Sequence, residues 1–275
     1  METTKPRSRA PYEKVDRTAN PMKRPSFRGI ANSSSAESSS PALPLFLWRD
    51  HAIPGTKVKY LRTEKEVNVA LESVKGPLGF DVEWRPSFVR GMPEAPIALL
   101  QLARPDQIFL IQLTAMRKFP QVLRDILEDY EIIKAGVGIE GDAKKLWRDY
   151  GVSLLGAVEL SKLARVSDPS RWADTSPSQL IGLARLVAIY WSHRMIKAYK
   201  VKLSNWEQIL DPKQIEYAAS DALAGVIIYQ HLLGLDPGAL PRDYTSNYIG
   251  GKGEPYVRPQ AVSLQTEVAI ISPNP

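Results

Sequence analysis

Three strand-length runs, at about 78–84, 96–103 and 107–112, follow one another with short connections, and this succession constrains the fold more than any other feature. Short connections favour antiparallel pairing. A further strand fits about 57–62. After residue 112 the pattern changes: a helix at about 119–129, a strand at about 131–137, helices at about 141–150 and 178–190, and a long helix at 212–233. Antiparallel strands followed by strands alternating with helices predict an α/β domain, with one mixed sheet of about five strands and helices on both faces.

The first of the three runs carries an unusual pair. Phe80, Val82 and Trp84 alternate with Asp81 and Glu83. A strand has a two-residue period, so both carboxylates point to one side. An amphipathic strand at the surface would show these acids to water. Alternatively the two acids share a cation, since like charges held close raise each other's pKa unless something positive stands between them. The strand by itself leaves both readings open.

Composition narrows the chemistry. The chain has no cysteine, which excludes disulfides, thiolate catalysis and Cys-ligated zinc, and fits a reducing compartment. His51, His193 and His231 are scattered and unpaired in the sequence, which argues against a His-rich metal site. No apolar run is long enough to span a bilayer, and no signal-peptide hydrophobic region follows the N-terminus. The net charge of +6 leans toward anionic partners such as nucleic acid. Residues 1–40, however, hold eight Lys or Arg against four acids, and so carry +4 of that excess.

Residues 1–42 are rich in Ser, Pro and Arg, with too few apolar residues to offset the entropy of ordering. They predict a disordered basic tail. Met22-Lys23-Arg24-Pro25 resembles a nuclear address, and a nuclear or cytoplasmic location is expected. Residues 43–235 hold the patterned domain, and 236–275 read as an extended tail with frequent Pro and Gly. Within the domain, Asp211 and Gln214 are placed to cap the long helix, with Pro212 at its first position. Tyr217 and Asp221, four apart, share one face of it.

Gly136, Gly138 and Gly141 form G-x-G-x-x-G between a strand and a helix, and Glu159 follows at the spacing of a ribose contact. This is a dinucleotide-binding fingerprint and raises an oxidoreductase as a separate alternative. Two features oppose it. The fingerprint normally opens its domain, whereas several strands precede it here. Asp142, directly after the last glycine, would also set an anion beside a pyrophosphate.

Three segments together, Phe80-Asp81-Val82-Glu83-Trp84, Gly136-Val137-Gly138-Ile139-Glu140-Gly141-Asp142 and Gln214-Ile215-Glu216-Tyr217-Ala218-Ala219-Ser220-Asp221, resemble the three motifs of the DEDD 3′–5′ exonucleases. Leu203-Ser204-Asn205-Trp206-Glu207 and Ile97-Ala98-Leu99-Leu100-Gln101-Leu102 also look like that family. Tyr217, four before Asp221, resembles the tyrosine branch; the histidine branch has His at the position of Glu216. The Werner-syndrome-type exonuclease domain is the nearest subgroup and ribonuclease D a more distant one. The resemblance covers about residues 43–235 and leaves out both tails.

This resemblance implies a ribonuclease H-like fold and a two-metal nuclease acting on nucleic acid 3′ ends to release nucleoside 5′-monophosphates, with DNA rather than RNA the expected substrate. It implies that Asp81, Glu83, Asp142 and Asp221 hold two Mg²⁺ or Mn²⁺ ions, with Asp81 bridging them, and that Tyr217 orients the attacking water. Trp84 would pack under the terminal base, and Arg85, Lys145 and Lys202, with Lys144 and Arg148, would meet phosphates. An inactive relative that binds nucleic acid or a protein remains a second alternative, against which all five catalytic positions are intact.

Overall fold

The structure is a computed structural model that describes residues 42–196, 199–235 and 245–255. The basic N-terminal tail expected over 1–42 therefore lies almost wholly outside the described residues. Among these, eight strands form one sheet: β1 (Lys57–Leu61), β2 (Leu78–Trp84), β3 (Ile97–Arg104), β4 (Gln107–Gln112), β5 (Lys134–Gly136), β6 (Leu154–Glu159), β7 (Thr245–Ile249) and β8 (Lys252–Pro255). Their spatial order is β1-β4-β3-β2-β5-β6-β7-β8. β2, β3 and β4 pair antiparallel, the two-residue link from β3 to β4 allowing nothing else, while β1 joins β4 and β5 joins β2 and β6 in parallel. Mixed pairing with helices on both faces is the α/β architecture expected, but the sheet has eight strands rather than about five.

The extra strands have identifiable causes. β6 is interrupted by Gly156 in the left-handed region (φ +61°), and its register with β7 shifts there, so the run shows no alternation. β7 and β8 form a hairpin from Thr-Ser-Asn-Tyr-Ile and Lys-Gly-Glu-Pro. That stretch is too polar to read as a strand and fell in the segment expected to be an extended tail. Tyr248 anchors it in the core, and the Asn247 side chain accepts a hydrogen bond from the Gly156 N–H at 2.8 Å.

The helices divide between the two faces. α2 (Glu64–Leu71), α3 (Gln121–Leu127) and α4 (Ile139–Tyr150) pack over Phe80, Val82, Leu100 and Leu102. On the other face lie α5 (Leu160–Ser167), α7 (Leu183–Tyr190) and the long α9 (Pro212–Gly234), with α1 (Trp48–His51) also packed on α9. The short α6 (Pro169–Trp172) and α8 (Tyr199–Lys202) complete the set. No described helix is long and apolar enough to cross a membrane.

α9 is built as its sequence predicts. The Asp211 side chain accepts from the N–H groups of Lys213 and Gln214 at 2.7 and 2.9 Å, and Gln214 Oε1 accepts the Asp211 N–H at 3.0 Å. A buried cation supports the other face. Lys134 in β5 donates from Nζ to the carbonyls of Ile126 and Asp129 at 2.9 and 2.7 Å, satisfying the end of α3; burial lowers its pKa to about 7.

α9 seats directly on β2. A Cβ added to Gly79 would come within 1.9 Å of the Ala222 carbonyl oxygen, and one added to Gly225 within 3.5 Å of the Gly79 Cα. Backbone therefore rests on backbone, with no side chain between. Gly79→Ala is expected to push α9 off the strand, at a cost of at least about 3 kcal/mol, the upper part of the overpacking range. Urea unfolding checks this; a wild-type midpoint would show that the contact yields without strain.

Candidate active site

The cleft opens where β5 stops. β5 pairs with β2 only at Leu78 and Gly79, so β2 runs on unpaired along that edge. The resulting cleft has a volume of about 550 Å³. It lies at the carboxyl ends of parallel strands, the usual ligand position in open α/β sheets. Asp81 and Glu83 enter it from β2, Asp142 from the first turn of α4, and Tyr217 and Asp221 from α9. These five side chains come from three segments separated in the sequence, and the fold brings them to one place.

Sheet alternation explains how Asp81 and Glu83 reach the cleft. Gly79, Asp81 and Glu83 share the α9 face, while Phe80 and Val82 fill the opposite core. α4 begins at Ile139, two residues earlier than its pattern suggests, and Asp142 stands in its first turn. Glu159, at the end of β6, holds this turn. Its Oε2 accepts from the N–H groups of Gly138 and Ile139 at 2.8 and 3.2 Å, and its Oε1 from Ser161 N–H at 3.1 Å. A carboxylate thus occupies the helix N-terminus where a dinucleotide fold would seat a pyrophosphate. The G-x-G-x-x-G segment is a turn closed by Glu159, and the ribose role considered for that residue has no place here.

The electrostatics of the cleft are strained. Burial is the largest cause raising the pKa of each of Asp81, Glu83, Asp142 and Asp221. Mutual repulsion adds to it: Asp81 acts on Glu83, Asp142 and Asp221, and Asp221 acts on Glu83. The Tyr217 hydroxyl is pushed far up by burial and then by the charges of Asp221, Glu83 and Asp81, so it stays protonated. Among the described residues, no three His, Asp or Glu side chains already close around one point as a metal shell. The acids line one cavity and repel one another across it.

The positions considered for substrate contact separate. Trp84 and Lys202 line the cleft. Arg85 does not; it is exposed and pairs with Glu207 at 3.4 Å. Lys145 corrects the expectation of a phosphate contact. Its side chain is 3% exposed, donates to the Ala95 carbonyl at 2.7 Å, pairs with Asp149 at 3.0 Å and lies 4.8 Å over the Trp84 ring. It is a structural cation that braces Trp84. Lys144 pairs with Glu140, and Arg148 with Glu94 at 2.9 Å.

The histidines, scattered in the sequence, converge in space. His51 lies 4.6 Å from His193 and stacks on Phe46, and Trp191 stands against both His51 and His231. His51 Nδ1 accepts from the Trp191 indole N–H at 3.2 Å, and none of the three lines the cleft. They form a packing cluster.

Sequence reasoning passed over two supports. Glu159 was visible only as a spacing, and Trp206 only as part of a resemblance. Trp206 is fully buried and donates from Nε1 to the Lys202 carbonyl at 3.2 Å, while Ser204 Oγ accepts from Gln214 Nε2 at 2.8 Å. The Leu203–Glu207 segment thereby ties Lys202 to the start of α9.

A family model described as 3′–5′ exonuclease matches residues 58–234. A 3′–5′ exonuclease of Arabidopsis thaliana is 30% identical over 227 residues, covering 76% of this chain and 76% of its own length. The bifunctional 3′–5′ exonuclease/ATP-dependent helicase WRN of Mus musculus is 40% identical over 157 residues; the match covers 56% of this chain but only 11% of the mouse protein. Among solved structures, Escherichia coli RNase D, an exoribonuclease, superposes with a TM-score of 0.55 at 20% identity, over 65% of this chain and 45% of its own. That likeness shows the fold.

Lys145→Met is expected to lower stability by about 1–3 kcal/mol, because Asp149 loses its closest cation and keeps only the Ile97 N–H and the exposed Arg148. The salt dependence of oligonucleotide binding should not change. Loss of a phosphate contact would instead reduce the slope by about one. Melting curves and binding at several salt concentrations distinguish the two.

Proposed function

Because the chain belongs to the 3′–5′ exonuclease family and is by that membership a nuclease hydrolase, we propose that it removes nucleoside 5′-monophosphates from nucleic acid 3′ ends in a metal-dependent reaction, on DNA in preference to RNA. The observation that carries this reading is the convergence of Asp81, Glu83, Asp142, Asp221 and Tyr217 on one cleft. The expectation of DNA rests on the resemblance of the three motifs to the Werner-type exonuclease domain.

The residues present suit hard divalent cations. All four ligands are carboxylates that line one cleft and repel one another, and such oxygen donors favour Mg²⁺ and Mn²⁺. Asp81, Glu83, Asp142 and Asp221 would hold two such ions. The chemistry those cations supply when bound is activation of water at neutral pH and charge stabilisation at the leaving 3′ oxygen.

The remaining work falls to the chain itself. Tyr217 keeps its proton at any working pH, so its hydroxyl orients the nucleophilic water rather than acting as a base. Its interaction with Asp221, one turn on, fixes the phenol's direction. Trp84, held by Lys145, offers a flat apolar wall for the terminal base. Labelled single-stranded DNA and RNA, each with Mg²⁺ and with EDTA, test the reading in one assay. Full activity in EDTA sinks the metal dependence, and RNA cleaved as fast as DNA sinks the preference.

Raised carboxylate pKa values have a sign. The folded protein keeps protons that the unfolded chain releases above the ordinary Asp value of 3.8, so these groups make the metal-free protein less stable as pH rises toward about 8, where Asp221 ionises. Divalent cations displace those protons. The rise in melting temperature produced by Mg²⁺ over EDTA is therefore expected to grow between about pH 5.5 and pH 8. A gap independent of pH would refute this.

Asp221→Asn and Tyr217→Phe should separate ligand from donor. Asp221→Asn is expected to weaken Mn²⁺ binding and abolish cleavage together. Tyr217→Phe should leave Mn²⁺ affinity nearly unchanged while slowing single-turnover cleavage by about 10–10³-fold. If Tyr217 is only a packing residue, Phe preserves its volume and the rate stays at the wild-type level.

A further inference from the structure

The acid cleft has one basic residue on its wall. Among the described residues lining it, Lys202 alone carries positive charge. Nearby cations are committed elsewhere: Arg85 to Glu207, Lys145 to Asp149 and Arg49 to Glu216. Lys202 is exposed, and its ammonium has no ion pair or hydrogen bond among the described residues. Its backbone, by contrast, is fixed by the Trp206 indole, and the adjoining segment by Gln214. The chain spends a buried tryptophan and a helix-capping glutamine on holding a lysine at this mouth and then gives the charged end no partner.

We infer that Lys202 is the resident counter-cation of the cleft: it offsets the four carboxylates while divalent cations are absent and turns to the phosphates of the incoming strand once they bind. The inference rests on the nuclease reading above. Its attraction acts on Asp81, Glu83, Asp142 and Asp221 alike, which a contact with any single acid would not do. An exposed, flexible ammonium loses little hydration while it points inward, and it remains free to leave. When two dications neutralise the acids, that attraction fades, and the charge left at the mouth faces a polyanion.

The two halves predict effects of opposite sign, which a merely structural role would not produce. In Lys202→Met, Mn²⁺ measured by calorimetry without nucleic acid should bind about tenfold tighter at low salt, because a competing charge is gone. The same variant should melt at a lower temperature in EDTA. Its KM for a labelled single-stranded oligonucleotide should rise about tenfold, with a smaller change in kcat. Lys202→Arg keeps the charge and should stay near wild type in all three. Unchanged or weaker Mn²⁺ binding, or an unchanged KM, in Lys202→Met overturns the inference. If the wild-type protein neither binds Mn²⁺ nor cleaves, the nuclease reading itself has failed. Melting in EDTA then decides the counter-cation alone: Lys202→Met at least as stable as wild type removes it.

Discussion

The seating of α9 on β2 is the contact on which the rest depends. At Gly79 and Gly225 the helix backbone touches the strand backbone, closer than any side chain would allow. The contact lies two residues along the strand from Asp81 and four along the helix from Asp221. A helix held off by an ordinary side-chain layer would stand several ångströms further away, and Tyr217 and Asp221 would not share a cavity with Asp81 and Glu83. The absence of two side chains therefore sets the distance between the groups that do the chemistry.

That cavity stores repulsion, and the surrounding structure holds it together. Four carboxylates set side by side, Glu83 buried and the other three half-buried, oppose folding. The opposing terms are the two apolar cores on either face of the sheet, the capping box at Asp211 and Gln214, and the Glu159 carboxylate that closes the start of α4. Glu159 also shows how a local pattern misleads. Glycines that would cradle a phosphate in one fold here turn the chain so that a side chain 21 residues away can cap the helix.

Lysines illustrate how much placement decides. Lys134 is buried and closes the end of α3, Lys145 is buried and braces Trp84, and Lys202 stands free at the cleft mouth. In the sequence all three are cations within or near a motif, and charge alone does not tell them apart. Burial does: an ammonium taken out of water must find carbonyls or a carboxylate, and one left in water need not.

The sequence by itself determined whatever depends on local period. Alternation put Asp81 and Glu83 on one face of β2, four-residue spacing put Tyr217 beside Asp221, and Asp211, Pro212 and Gln214 marked the start of α9. The antiparallel pairing of β3 with β4 followed from the two-residue link between them. Only the tertiary structure decided which segments meet. It brought Asp142 to the acids, turned Lys145 inward and left Lys202 at the cleft mouth. It also gathered three scattered histidines around Trp191 and recruited residues 245–255 as two further strands. The physical reason is one of range. Backbone geometry repeats over two or four residues and leaves its mark on neighbouring positions, whereas contact between distant segments depends on how whole faces pack, which no short stretch encodes.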